Sequence, residues 1–213
     1  TLKFRATTPC VHKLSSRQVC DNISMIKALI FDCFGVLVTE AWLPFKKQYF
    51  HDDPKLFAEA SDTAKKANLG LISHSEFINT AARLAGISSE EAWAYISRNV
   101  ADEELFKYMK DLKKTYQIGF LSNIADDYLH EMFSEEQLEL FDVIELSYRT
   151  GFVKPEVQAY ELVAQRMKVN IGEALLVDDQ QRNVDGARRA GMQAILYKNL
   201  DQFKTELSET LAK

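Results

Sequence analysis

The sequence predicts an α/β protein: a layered core around a mostly parallel sheet, interrupted by an all-helical insertion. Three observations carry that prediction. Near-continuous apolar runs recur along the chain, the pattern of strands buried on both faces of a parallel sheet. Helical stretches stand between most of these runs. One interval, 42–115, has helical periodicity and no strand signal. With 213 residues the chain can form one core plus a modest insertion, and a chain of this size buries roughly 70% of its unfolded surface.

The first 24 residues precede any such pattern, with Lys3, Arg5, Lys13 and Arg17 set against Asp21 alone. They read as a disordered N-terminal extension: a targeting peptide, a tail, or residues upstream of a start at Met25. The first strand follows in Ile26, Ala28, Leu29, Ile30 and Phe31. Helices then fill 42–115, where Ser73 with Glu76 and Ser88 with Glu91 have capping-box spacing, and Gly70 and Gly86 suit helix ends. Phe77, Ala81, Leu84 and Ala85, like Ala92, Trp93, Tyr95 and Ile96, form apolar faces of a bundle core. Beyond residue 115 the alternation begins. Strands are expected at Ile118–Leu121, Val143–Leu146, Ala174–Val177 and Gln193–Tyr197, and helices at Ala125–Phe133, Glu156–Met167, Arg182–Ala190 and Asp201–Leu211. The expected organisation is a core from 25–41 and 116–213 with a helical cap over 42–115.

Composition narrows the function classes. The formal net charge is −5, so no basic surplus argues for nucleic acid or an anionic membrane as partner. The apolar stretches fall short of the ~20 residues that span a bilayer. Three cysteines, Cys10, Cys20 and Cys33, make neither a disulfide framework nor a metal-ligand spacing. A cytoplasmic protein acting on a small molecule is expected; the oligomeric state is not legible.

In an open parallel sheet, ligands bind beyond the carboxyl ends of the strands, so the first polar residues after each run matter most. Asp32 follows the first run, Ser122 and Asn123 the second, Lys154 the third, and Asp178 with Asp179 the fourth. Asp178 and Asp179 set like charges side by side, which calls for a compensating cation. Mg²⁺, a hard ion suited to one or two carboxylates and a substrate phosphate, is the natural one.

This ordered set, in FDCFGVL, FLSN, KPEVQAYELVAQRM and LLVDDQQRNVDGARRAGM, resembles the four motifs of the haloacid dehalogenase superfamily over residues 26 to about 197. The resemblance implies a Rossmann-like three-layer core with a helical cap of the kind inserted after the first motif. It also implies roles. Asp32 would be the nucleophile that forms an aspartyl phosphate. Ser122 and Asn123, the latter through its backbone N–H and its side chain, would donate to phosphoryl oxygens, and Lys154 would neutralise charge. The ion would be held by Asp32, the backbone carbonyl of Phe34 and Asp179, with Asp178 and Asn183 supporting them. Asp185 would be a solvated helix residue.

One departure matters. Phosphatases of the family usually carry a second Asp two residues after the nucleophile as general acid and base; here that residue is Phe34. Proton transfer, typically worth 10²–10⁴-fold, has no obvious donor, unless His51 supplies it. Phosphate esters with easily departing leaving groups, such as sugar 1-phosphates, are then the expected substrates of a Mg²⁺-dependent phosphatase. Two alternatives stand beside it: a metal-independent 2-haloacid dehalogenase, which Phe34 suits and the Asp178–Asp179 pair opposes, and a non-catalytic phosphate-binding protein of the same fold.

Overall fold

A computed structural model describes residues 25–212; the reading of residues 1–24, with Cys10 and Cys20, lies outside them. Five strands, β1 (Ala28–Phe31), β2 (Gln117–Ser122), β3 (Val143–Leu146), β4 (Ala174–Asp178) and β5 (Gln193–Leu196), form one parallel sheet in the order β3-β2-β1-β4-β5. Each lies within two residues of its predicted run. The chain steps outward from β1 in one direction to β2 and β3, then returns to its other side for β4 and β5. That reversal opens a crevice beside the carboxyl end of β1.

Eleven helices accompany the sheet among the described residues: α1 (Trp42–Phe50), α2 (Pro54–Asn68), α3 (His74–Ala85), α4 (Ser89–Ile96), α5 (Glu103–Leu112), α6 (Leu129–Met132), α7 (Glu135–Leu138), α8 (Ser147–Thr150), α9 (Val157–Arg166), α10 (Gln181–Arg189) and α11 (Leu200–Leu211). Strand alternation explains the layers. Leu29, Phe31, Ile118, Phe120, Leu175 and Val177 face α5 and α11, burying Leu105, Phe106, Met109, Phe203 and Leu207. Ala28, Ile30, Leu121, Ala174 and Leu176 face the other way, onto Tyr160, Val163 and Ala164 of α9 and Ala187 of α10. Both faces of the central strands are thereby covered, which is why β1 and β4 read as unbroken apolar runs.

The stretch 42–115 divides by its packing. Helices α1–α4 share a separate apolar cluster that includes Phe45, Phe50, Ala60, Ala64, Phe77, Ala81, Ala92 and Ile96. Helix α5, expected inside the cap, instead lays its four apolar residues on the sheet. Its strong periodicity marked a helix and did not say which core it faced. Both capping boxes form, and Gly86 takes the left-handed conformation that ends α3. The chain passes between core and helical unit through two adjacent segments: Thr39 donates its N–H to Val100 O at 3.0 Å, Val100 donates to Thr39 Oγ1 at 3.0 Å, and Asp102 donates to Leu37 O at 2.9 Å.

The helix expected at Ala125–Phe133 shortens to α6. Asp126 and Asp127 accept hydrogen bonds from the N–H groups of Asp127 and Leu129, local turns that compete with helix formation.

Candidate active site

The strands deliver their first polar residues to one place. Asp32 donates its N–H to Val177 O at 2.9 Å, pinning the end of β1 beside the end of β4. Its side chain is buried, and Oδ1 accepts from the Cys33 N–H at 2.6 Å. Lys154, on the loop after α8, reaches in so that Nζ lies 2.7 Å from Asp32 Oδ1 and 2.7 Å from Asp178 Oδ2. A buried ammonium thus joins the ends of β1 and β4, and since it carries three donors, one remains for a ligand.

Asp178 and Asp179 are adjacent in sequence and differently employed. Asp178 is fully buried and accepts from the Gln180 N–H at 2.9 Å, from Asn183 Nδ2 at 3.0 and 3.1 Å, and from Lys154. Burial works against its charge, but Lys154 and these donors win and hold its carboxyl below the usual range. Asp179 lacks such support. Its Oδ1 is buried with no hydrogen-bond partner, and burial together with the charge of Asp178 pushes its pKa up to about 6. Burial and the neighbouring Asp178 likewise raise Asp32, with Lys154 offsetting part of the rise. Lys154, despite burial, is held above the ordinary lysine range by Asp178 and Asp32.

The residues fit a hard divalent cation. Asp32, Asp178 and Asp179 each offer an oxygen, and the three oxygens lie within 4.8 Å of one another. One ammonium does not balance three carboxylates. Asp178 has both oxygens engaged, whereas Asp179 Oδ1 is unpartnered and Asp32 Oδ2 accepts no hydrogen bond from the described residues. Gly35 makes room for this cluster: at φ +85°, a Cβ there would stand 2.4 Å from Asp179 Oδ2. Phe34, one residue before it, lines the cleft.

Ser122, at the end of β2, is fully buried, and its Oγ has no partner. Such an orphaned hydroxyl is costly unless a ligand engages it. Asn123 departs from expectation. Its side chain is not free to donate to a ligand, because Nδ2 donates to Lys154 O at 2.9 Å while Oδ1 accepts from the Lys154 N–H at 2.8 Å. The amide fixes the Lys154 backbone instead, leaving only the Asn123 backbone N–H as a candidate donor. Asn183 holds Asp178, and its own Oδ1 is buried without a partner.

Other predicted residues stand apart. His51 is exposed, paired with Asp52 at 2.9 Å, and does not line the cleft. Cys33 is a buried free thiol whose pKa burial raises, consistent with packing. Asp185 is exposed and accepts from Gln181 Nε2 at 2.7 Å. A cleft of about 830 Å³, open to solvent, lies between the carboxylates and the helical unit. Its walls include Glu40, Trp42, Phe77, Asn99, Tyr128 and Arg182, none of them marked by sequence as functional. They converge only through the packing of the helical unit on the core, for example where Ser147 Oγ donates to Asn68 O at 2.6 Å.

Comparison with known proteins agrees with this geometry. A family model described as haloacid dehalogenase-like hydrolase matches residues 26–191. D-ribitol-5-phosphate phosphatase of Bacteroides thetaiotaomicron is 27% identical over 205 residues, 88% of this chain and 99% of that protein. A sesquiterpene phosphatase of Aspergillus oryzae is 28% identical over 174 residues, 78% of this chain and 87% of that protein. Among solved structures, a HAD family enzyme from Bacteroides thetaiotaomicron, crystallised with magnesium and inorganic phosphate, superposes with a TM-score of 0.66 at 23% identity, covering 81% of this chain and 94% of its own.

Proposed function

From the premise that this chain belongs to the haloacid dehalogenase-like hydrolases, we propose that it is a Mg²⁺-dependent phosphatase that hydrolyses a small phosphorylated metabolite through an aspartyl phosphate on Asp32. One observation carries the reading. Asp32 and Asp179 each keep an unengaged carboxylate oxygen, next to the unpartnered Ser122 hydroxyl and the Lys154 ammonium.

In this reading Asp32 Oδ2 attacks phosphorus, the ester P–O bond breaks, and the alcohol departs. Water then attacks the phosphoryl group of the aspartyl phosphate, releasing inorganic phosphate and restoring the carboxylate. Ser122, the Asn123 N–H and Lys154 hold the phosphoryl oxygens where charge gathers. Asp178, itself fixed by Asn183, positions Lys154. Asp32, the Phe34 carbonyl and Asp179 are the residues to hold Mg²⁺, which when bound neutralises charge on the phosphoryl oxygens.

Phe34 offers no proton, and His51 lies off the cleft. The substrates that suit such a site have good leaving groups, sugar 1-phosphates among them. The two phosphatase relatives, one acting on a polyol phosphate and one on a sesquiterpene phosphate by their names, support the reaction and leave the alcohol open.

The test is phosphate release from a panel of phosphate esters with and without Mg²⁺, in the full chain and in Asp32→Asn. Expected are Mg²⁺-dependent turnover, its loss by at least about 10³-fold in the variant, and rates that rise as leaving-group pKa falls. A flat dependence removes the leaving-group argument. Metal-independent chloride release from 2-chloropropionate instead makes the chain a dehalogenase, and neither activity makes it a binding protein.

A further inference from the structure

Beyond the carboxylates the cleft widens into a mouth between the helical unit and the core. Its two contiguous hollows share Trp42, Asn68, Asn123, Lys154 and Arg182 as walls. Two cations from different parts of the fold stand on this mouth: Lys46 on α1 of the helical unit and Arg182 in the first turn of α10 on the core.

Lys46 is half-buried, its Nζ 4.4 Å from the centre of the Phe57 ring, 5.7 Å from that of Trp42 and 2.8 Å from Ser61 Oγ. Arg182 makes one polar contact, from Nε to Gln180 Oε1 at 3.0 Å. Neither has a carboxylate within 4.0 Å among the described residues, although eleven ion pairs form elsewhere. The nearby acids are otherwise placed. Both oxygens of Glu40 accept from the Leu43 N–H, at 2.9 and 3.1 Å, and Asp62 pairs with Lys66 at 2.8 Å. Glu156 lines the mouth next to Pro155 and forms no ion pair. Burial, with Arg182 adding to it, lowers the pKa of Lys46 against the pull of Glu40. Drawing an ammonium partly out of water, towards a second cation and without a counter-ion, costs free energy that an anion between them offsets.

We infer that the substrate is a phosphate ester whose far end carries a second anionic group, a carboxylate or another phosphate, held between Lys46 of the helical unit and Arg182 of the core. This rests on the phosphatase reading of the Asp32 site. An ion bridging the two parts also draws the helical unit onto the core, so recognition of the far end helps to exclude water from the reacting one.

Matched substrates test it: alkyl phosphates of two to six carbons against the same chains ending in a carboxylate or a second phosphate, assayed with Mg²⁺ on the full chain, Lys46→Met and Arg182→Gln. Methionine retains an unbranched apolar stem over Trp42 and Phe57. At some chain length the anion-terminated ester is expected to have a kcat/KM about tenfold or more above its neutral partner, the scale of one charge-assisted contact. That ratio should fall towards one in both variants, and the better terminus identifies the anion. A wild-type ratio at or below one for every length and terminus, or a ratio that survives both substitutions, overturns the inference. Titration with the corresponding non-hydrolysable ω-carboxyalkyl- and alkylphosphonates separates it from the chemistry. Anion-dependent binding lost in both variants, with no ester hydrolysed, retains the anion clamp and removes the phosphatase; hydrolysis without anion preference does the reverse.

Discussion

Lys154 condenses the residue-scale argument: an ammonium 3% exposed serves Asp32 and Asp178 at once, and a third carboxylate stands beside them. Lys154→Met removes the only cation in direct contact with two buried acids. It should destabilise the metal-free protein by about 3–5 kcal/mol, the cost of breaking a buried ion pair from one side. Urea denaturation checks this, and Mg²⁺ should restore more stability to the variant than it adds to wild type; equal stability without metal would sink the account. Gly35→Ala should cost about 1–2 kcal/mol for its left-handed backbone. Because the added methyl meets Asp179 Oδ2, it should also raise the Mg²⁺ concentration for half-maximal activity about tenfold, a loss of one modest contact. A metal titration unchanged from wild type would argue against Asp179 as a ligand. Sequence made Asp32, Ser122, Lys154 and the Asp178–Asp179 pair legible because each is a polar residue just beyond an apolar run. It could not show that the Asn123 amide is spent on the backbone of a residue 31 positions away, nor that Lys46 meets Arg182, since no local pattern encodes either meeting.

At the scale of elements, helix α3 starts against the core. His74, its first residue, packs within 4.7 Å of the Trp93 ring centre and 5.3 Å of Tyr128, a residue of the core loop before α6. Its Nε2 is buried without a partner. Burial lowers the His74 pKa, although Asp126 and Glu131 pull it back in part. The unfolded chain therefore binds a proton more readily than the folded one, and the contribution of a neutral His74 is complete above about pH 6.5 and lost as pH falls from there through the lower folded value. Thermal melts should show a decline from pH 7 to pH 5 that is smaller in His74→Phe. An identical decline in both would place the acid sensitivity elsewhere. Element boundaries were legible where chemistry is local: the Ser73 and Ser88 capping boxes formed as spaced. They were illegible where partners decide, as for α5, whose apolar stripe suits either core.

For the whole molecule, the sheet order explains why residues from four strand ends, far apart in sequence, share one crevice. The apolar runs made the strands readable, while their order depends on crossovers that no single run records. The packing also separates labour. Asp32, Ser122, Lys154, Asp178 and Asp179 all belong to the sheet and its loops, and the helical unit has its own apolar cluster. Replacing residues 41–98 with a short Gly-Ser linker should therefore leave a cooperatively folding α/β core with an intact far-UV spectrum. A broad, non-cooperative melt would mean that the two clusters fold only together.

The pairing of Thr39 with Val100 has a consequence for ancestry. Where a polypeptide departs from its scaffold and comes back at neighbouring points, everything in between is a cassette, free to be swapped or redesigned while the scaffold keeps its register. A lineage built this way can retain one reactive centre and acquire new chemical tastes by exchanging what is threaded through a single pair of adjacent positions.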